Sequence, residues 1–188
     1  CSIHTCNIDT VELFDPAYSL HERTRSFLKI QDGCDYHCSY CTIPQARGRS
    51  RNYPVAILTE QAKAIAAKGL REIVLTGVNI GDFGKSTNET FLELLNSLIQ
   101  TDGIERFRIS SIEPELLSDE IIDLVASSGK LAAHFHIPLQ SGCNRILALM
   151  KRRYNREVYL KRVERIRKIM PFASIGSDVI VGFPGESD

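Results

Sequence analysis

Cys34, Cys38 and Cys41 stand in a Cys-x3-Cys-x2-Cys arrangement that offers three thiolates from one short loop. Thiolates are soft ligands, and the pitch of such a loop lets all three sulfurs converge on one metal centre. Three ligands are one short of closure. A cubane 4Fe-4S cluster held this way keeps one iron open to a substrate, whereas a structural zinc ion calls for four protein ligands. His37, within the same loop, offers a fourth ligand for a Cys3His zinc site, and three unrelated buried thiols are the plainest alternative. The other cysteines, Cys1, Cys6 and Cys143, lie apart, Cys143 reading as a small buried thiol. Such clustering suits a metal and not a disulfide framework.

The elements that must position this loop follow a repeating pattern. Residues 26–31 alternate apolar and polar side chains and end at Asp32-Gly33, a strand and a turn. Apolar residues at 55, 58, 62, 65 and 66 keep helical spacing up to Gly69, and 71–75 is a short strand. Thr90 and Glu93 make a capping-box pattern before Phe91, Leu94, Leu95 and Leu98, and 107–110 is the third strand. Ser118, Asp119 and Glu120 start a helix that Gly129 ends, and 134–139 is the fourth strand. Asn155 opens a long helix that Pro171 stops, and the nearly continuous apolar run 175–181 is the fifth strand. Strict βα alternation predicts an α/β fold with a parallel sheet, either doubly wound or a barrel. In both, ligands bind at the carboxyl ends of the strands, where the unusual polar and glycine residues of this chain fall.

The 188 residues are 43% hydrophobic and 24% charged, which excludes a disordered or low-complexity chain. Twenty-three Lys plus Arg balance 23 Asp plus Glu, so attraction to a polyanion must be local. No apolar run approaches the ~18 residues a membrane-spanning helix needs, and no signal segment opens the chain, so a cytoplasmic protein without membrane association is expected. Residues 1–24 read as a linker or the remnant of a preceding domain, and 25–188 as one domain cut short at its C-terminal end.

The motif has an aromatic residue, Tyr40, just before its third cysteine. The stretch FLKIQDGCDYHCSYCTIPQARGRSR, with LTGVNIGDFG, RISSIEP, HFHIPLQSGC and IGSDVIVGFPGE downstream, resembles the tRNA methylthiotransferases of the radical S-adenosylmethionine (SAM) superfamily. It is most similar to the branch that modifies N6-threonylcarbamoyladenosine next to the anticodon. Sister enzymes acting on isopentenyladenosine in tRNA or on a ribosomal protein aspartate are the first alternative, and a zinc-stabilised RNA-binding module is the second.

The resemblance implies an incomplete (β/α) barrel of about five βα units. It implies that Cys34, Cys38 and Cys41 hold a 4Fe-4S cluster whose open iron chelates SAM, and that reductive cleavage yields a 5′-deoxyadenosyl radical. It implies a second 4Fe-4S cluster in a separate N-terminal domain, a C-terminal RNA-binding domain, and an electron donor such as flavodoxin or ferredoxin. Tyr40 would lie near the adenine. Thr76, Gly77 and Asn79 take the place of a Gly-Gly-Glu run that binds the methionine amino group in many superfamily members. Ser111 and Glu113 after the third strand, and Gln140 and Ser141 after the fourth, are further SAM candidates. Asp178, inside an apolar strand, reads as a buried carboxylate that needs partners, either as a further SAM candidate or as part of an internal network. His134 and His136 share one side of their strand as hydrogen-bonded lining residues.

Two basic stretches break the neutral balance. Arg47, Arg49 and Arg51 follow the cysteine loop, and Lys151, Arg152, Arg153 and Tyr154 follow the fourth strand. Guanidinium groups suit phosphate oxygens and Tyr154 suits stacking on an exposed base, so both stretches are candidate contacts for a tRNA anticodon loop. Inward Arg pairing with acidic residues is the competing reading.

Overall fold

The computed structural model describes residues 8–11, 17–19 and 24–187; Cys1 and Cys6 lie outside the described residues. Strand β1 (Arg25–Lys29) is followed by a two-residue strand, β2 (Gln31–Asp32), which pairs antiparallel with β3 (Arg51–Asn52). The cysteine loop and the short helix α1 (Ile43–Arg47) lie between β2 and β3. Helix α2 (Val55–Ala67), strand β4 (Glu72–Thr76), helix α3 (Phe91–Leu98), strand β5 (Arg106–Ile109) and helix α4 (Asp119–Ser127) come next. Strand β6 (His134–His136), helices α5 (Asn144–Leu149) and α6 (Arg156–Ile169) and strand β7 (Ser174–Gly176) complete the order.

Strands β1, β4 and β5 form one parallel sheet, with Phe27 opposite Val74 and Val74 opposite Arg108. Strands β6 and β7 form a second parallel pair, and single bridges from Phe107 to Leu131 and from Ser111 to His136 join it to β5. Each of the five long-range strands therefore neighbours the next in chain order. A doubly wound sheet reverses its order at a switch point and a barrel does not, so the fold is an incomplete α/β barrel. Leu28, Ile73, Leu75, Phe107 and Phe135 are buried on the strands, and Leu58, Ile65, Leu94, Leu98 and Ile122 of the crossover helices belong to the same core, which lies between the strands and those helices.

Local chemistry explains most element ends. The Thr90 hydroxyl accepts the Glu93 amide hydrogen at 3.2 Å and the Glu93 carboxylate accepts that of Thr90 at 2.7 Å, the capping box expected for α3. The Ser118 hydroxyl and the Asn155 side-chain oxygen accept the amides of Ile121 and Val158 and so cap α4 and α6 from one side only. On α6, Arg162 pairs with Asp119 and Arg165 with Asp123, fastening the helix to α4.

Strand β7 is shorter than its apolar run suggests. Ile137 still donates to the Gly176 carbonyl, but the next amide on that side, Leu139, donates to the Ser177 hydroxyl at 3.2 Å, and Gln140, at φ +63°, takes over with a bond to the Asp178 carbonyl, so the ladder slips by one residue. Pairing resumes only as a bridge from Gln140 to Val179, leaving Val179 57% and Val181 84% exposed. Helices α1 and α5 and the β2–β3 hairpin carry too few apolar positions to be foreseen from periodicity.

Gly33 closes the base of the cysteine loop at φ +72°, where an added Cβ would meet the Arg49 carbonyl oxygen at 1.9 Å. Gly33→Ala should destabilise the chain by at least about 1–3 kcal/mol in urea unfolding. Gly129→Ala, which would meet nothing within 4 Å, should stay within about 1 kcal/mol of the parent.

Candidate active site at the strand ends

Gln31 sits at the end of β1 with its side chain fully buried. Its Nε2 donates to the carbonyls of Asp32 at 2.9 Å and Gly33 at 2.7 Å and to the Ser50 hydroxyl at 2.9 Å. Its Oε1 accepts from the amides of Val78 at 3.0 Å and Asn79 at 2.8 Å. One amide thus joins both ends of the cysteine loop to the turn after β4. Asp32 adds to the clamp by accepting from Lys29 at 2.7 Å and Arg51 at 3.1 Å. Burial raises the Asp32 pKa, but the Lys29, Gly33 and Arg51 contacts outweigh it and hold the carboxyl below its ordinary value.

The loop so fixed faces a cavity of about 300 Å³ lined by Cys34, Cys38, Cys41, Tyr36, Tyr40 and Ile43 on one side. Val78, Asn79, Ser111, Glu113, Pro138, Gln140 and Asp178, from four different strand ends, and Arg152, from the turn between α5 and α6, form the rest. All three thiols are free of disulfides. Among the described residues, no three His, Cys, Asp or Glu side chains are grouped tightly enough to hold a metal ion as they stand. Burial, the Asp82 charge and the neighbouring thiols together raise the Cys34 pKa.

A second, more open cavity of about 550 Å³ lies on the other side of Cys34, lined by Asp35, His37, Arg49, Ser50, Lys85 and Ser86 among others. His37 lines this second cavity and is not among the residues that line the one all three cysteines share. The donor set that remains is three thiols and an open side, and it fits a 4Fe-4S cluster with one free iron. Asn79 lines the same cavity with both side-chain polar atoms buried and without a partner among the described residues, as a ligand-facing amide would be.

The structure brings Tyr40, Asn79, Ser111, Glu113, Gln140 and Asp178 together around this cavity. Burial pushes the Tyr40 hydroxyl up to about 12, so it stays protonated. Thr76, Gly77 and Ser141 do other work. The Thr76 hydroxyl donates to the Leu28 carbonyl, Gly77 packs against Gln31 where a Cβ would lie 2.9 Å from its carbonyl oxygen, and the Ser141 hydroxyl accepts the Cys143 amide. Asp178 is not the buried carboxylate expected: its side chain is 64% exposed, because β7 has ended before it. It stands 3.4 Å from His136 Nε2, while His136 Nδ1 is 3.1 Å from the Ser111 hydroxyl. Burial, Arg108 and His136 lower the His134 pKa and keep that ring neutral. Cys143, expected to be buried, is exposed at the start of α5, where the amides of Ile146 and Arg145 lower its pKa.

The basic stretches divide. Arg47, Arg49, Lys151 and Arg153 are exposed, and Arg153 lies over the Tyr36 ring at 3.8 Å. Arg51 turns inward to Asp32 with its side chain 11% exposed. Arg152 is 4% exposed and paired with Glu113, and Tyr154 is buried with its hydroxyl donating to the Pro138 or Leu139 carbonyl at 2.8 or 2.9 Å. These three are not rim residues. Sequence reasoning missed Tyr36, Ile43, Val78 and Pro138 as lining residues and Gln31 as the clamp; only Tyr36 and Ile43, flanking the cysteines, carried a signal.

The Radical SAM superfamily model matches residues 28–188. The chain belongs to the radical SAM superfamily. Members of this family use a 4Fe-4S cluster and SAM, which accords with the thiols and the cavity beside them. The chain is 44% identical over 182 residues to a threonylcarbamoyladenosine tRNA methylthiotransferase of Aquifex aeolicus, covering 97% of this chain and 43% of the relative. A protein of the same name from Bacillus subtilis is 42% identical, with 94% and 39% covered. A tRNA-2-methylthio-N(6)-dimethylallyladenosine synthase of Wolinella succinogenes is 40% identical, with 87% and 39% covered. The chain thus spans about two-fifths of the length of these curated relatives. A radical SAM methyltransferase of Kitasatospora setae, solved with tryptophan and a SAM analogue, superimposes with TM-score 0.68 at 19% identity over 87% of this chain and 32% of its own, a likeness of fold.

Since the Tyr154 hydroxyl is buried against main-chain carbonyls, Tyr154→Phe should cost about 1–3 kcal/mol of stability in thermal or urea unfolding. A stacking platform would tolerate Phe with no change in stability.

Proposed function

We propose that these residues are the radical SAM core of a methylthiotransferase that modifies N6-threonylcarbamoyladenosine beside the anticodon of tRNA, using SAM as radical source and methyl donor. The observation that carries the reading is the 44% identity with the Aquifex aeolicus threonylcarbamoyladenosine enzyme across 97% of the chain. In this reading Cys34, Cys38 and Cys41 hold the cluster. When bound and reduced, the cluster supplies the electron that splits SAM into methionine and a 5′-deoxyadenosyl radical able to take a hydrogen atom from the adenosine.

The chain's own residues bind and orient. Asn79 offers its unpartnered amide to the methionine end of SAM, and Ser111, Glu113 and Gln140 ring the same space from two further strand ends. Tyr40, protonated and 37% exposed, forms an aromatic wall for the adenine. Arg47, Arg49, Lys151 and Arg153 remain as exposed cations for the anticodon loop. The second cluster, the sulfur it supplies and a flavodoxin or ferredoxin as electron donor belong to the reading through the family resemblance. A cytoplasmic location follows from the tRNA substrate. No helix among the described residues is long and apolar enough to cross a membrane.

Anaerobic reconstitution of the 188-residue chain should load about four irons, and Ala at any one of Cys34, Cys38 or Cys41 should abolish both the cluster spectrum and SAM cleavage. Zinc uptake in place of iron would refute the reading. The substrate is tested by mass spectrometry of tRNA nucleosides from cells lacking the full-length protein. Methylthio-threonylcarbamoyladenosine should vanish while its unthiolated precursor persists; loss of the methylthio dimethylallyladenosine instead would assign the chain to the sister branch. Neutralising Arg47, Arg49, Lys151 and Arg153 in full-length enzyme should weaken tRNA binding and flatten its log–log salt slope by roughly 0.7–0.9 for each phosphate that is no longer neutralised.

A further inference from the structure

We infer that Arg152 is a positioning residue for the reduction step: its guanidinium, aimed at the sulfur of Cys38 and backed by Glu113, favours the reduced state of the cluster that the cysteines hold. This rests on the cluster assignment proposed above.

The side chain of Arg152 reaches back from the turn between α5 and α6 and is 4% exposed. Its Nη1 donates to Cys38 Sγ at 3.0 Å and lies 3.2 Å from the Tyr40 hydroxyl oxygen, while Nη2 donates to the Glu113 carboxylate. Nε lies 3.3 Å from the Tyr154 hydroxyl oxygen, and the guanidinium carbon is 5.0 Å from the centre of that ring. Every donor group of the fork is thus directed, and one is directed at a cluster ligand. A cation so enclosed needs a counter-charge, and Glu113, itself largely buried, is the one carboxylate described within hydrogen-bond distance of it.

The electrostatic consequence has a definite sign. A 4Fe-4S core bound by three thiolates becomes more negative by one when it accepts an electron from the external donor; no protein bond forms or breaks and Arg152 keeps its proton. A fixed positive charge and an N–H···S hydrogen bond at a ligand sulfur therefore favour the reduced state and raise the midpoint potential. Glu113 offsets part of that charge. The two partners act in opposite directions on the same quantity, which a merely structural pair would not do.

The test is potentiometric titration of full-length enzyme, reconstituted anaerobically and read by EPR without SAM, the signal of this chain's cluster being the one that later addition of SAM perturbs. Arg152→Gln should move the midpoint to more negative potential, Arg152→Lys should lie between Gln and the parent, and Glu113→Gln should move it to more positive potential. Because Glu113→Gln is nearly isosteric and keeps a hydrogen-bond acceptor for Arg152, it carries the opposite-sign test even where Arg152→Gln fails to fold. Midpoints that stay at the parent value in Glu113→Gln and in any folded Arg152 variant would overturn the inference. So would an unchanged midpoint combined with lost SAM affinity in Arg152→Lys, which would make the residue a clamp on the SAM carboxylate. Failure of the parent enzyme to bind iron is a separate result that removes the cluster assignment, and the inference with it.

Discussion

The buried Gln31 amide sets the shape of everything that faces the cavity. Its carbonyl oxygen takes two amide hydrogens from the turn after β4, and its nitrogen reaches both the start of the cysteine loop and Ser50 at its far end. A side chain that makes five such contacts in the dry end of a sheet cannot be exchanged for an apolar one without leaving main-chain groups unsatisfied. The loop has little secondary structure of its own, so its rigidity is borrowed from this amide, from Asp32 with its basic partners, and from Asn52, whose side chain ties Thr87, Ser86 and Gly84 to β3. Polar clamps of this kind let an irregular loop be positioned as firmly as a strand.

The same economy of polar groups governs the cavity wall. Some strand-end residues that look like ligand contacts are consumed in holding neighbours: Thr76 secures β1, and Ser141 secures the entry to α5. Others are left facing inward with unspent capacity, Asn79 above all. The division follows from burial and reach. A hydroxyl close to the backbone finds a main-chain partner at once, whereas a longer amide or carboxylate side chain extends into the space between strands.

Much of the fold was legible because crossover helices and parallel strands must show 3.6-residue and apolar-run patterns wherever they bury a face. The capping box at Thr90 and Glu93, the cap at Asn155 and the cysteine spacing are local features, and local features survive in a sequence. Arg152 shows where legibility ends. Its neighbours Lys151 and Arg153 are exposed and cationic, and no pattern within the run distinguishes the member whose partner lies on another strand end. Gln31 is equally silent, since its partners are scattered over loops distant in sequence. The ending of β7 depended on the slip at Leu139 and Gln140 beyond a different strand, a constraint that acts across the sheet and not along the chain.

The parallel pairing of β1 with β4 bears on the order in which the chain acquires its shape. The Gln31 contact to Val78 closes over 47 residues, a span that includes the whole of helix α2, and β4 pairs with β1 only across that distance. Closing such a loop costs entropy before any pairing rewards it. During synthesis the three cysteines therefore leave the ribosome well before the residues that fix their loop. Until β4 arrives they are thiols on a flexible tether, and a metal captured then would be held by whatever geometry the tether allows. Cofactor loading that follows sheet closure, and not mere emergence of the cysteines, is the order that this topology favours.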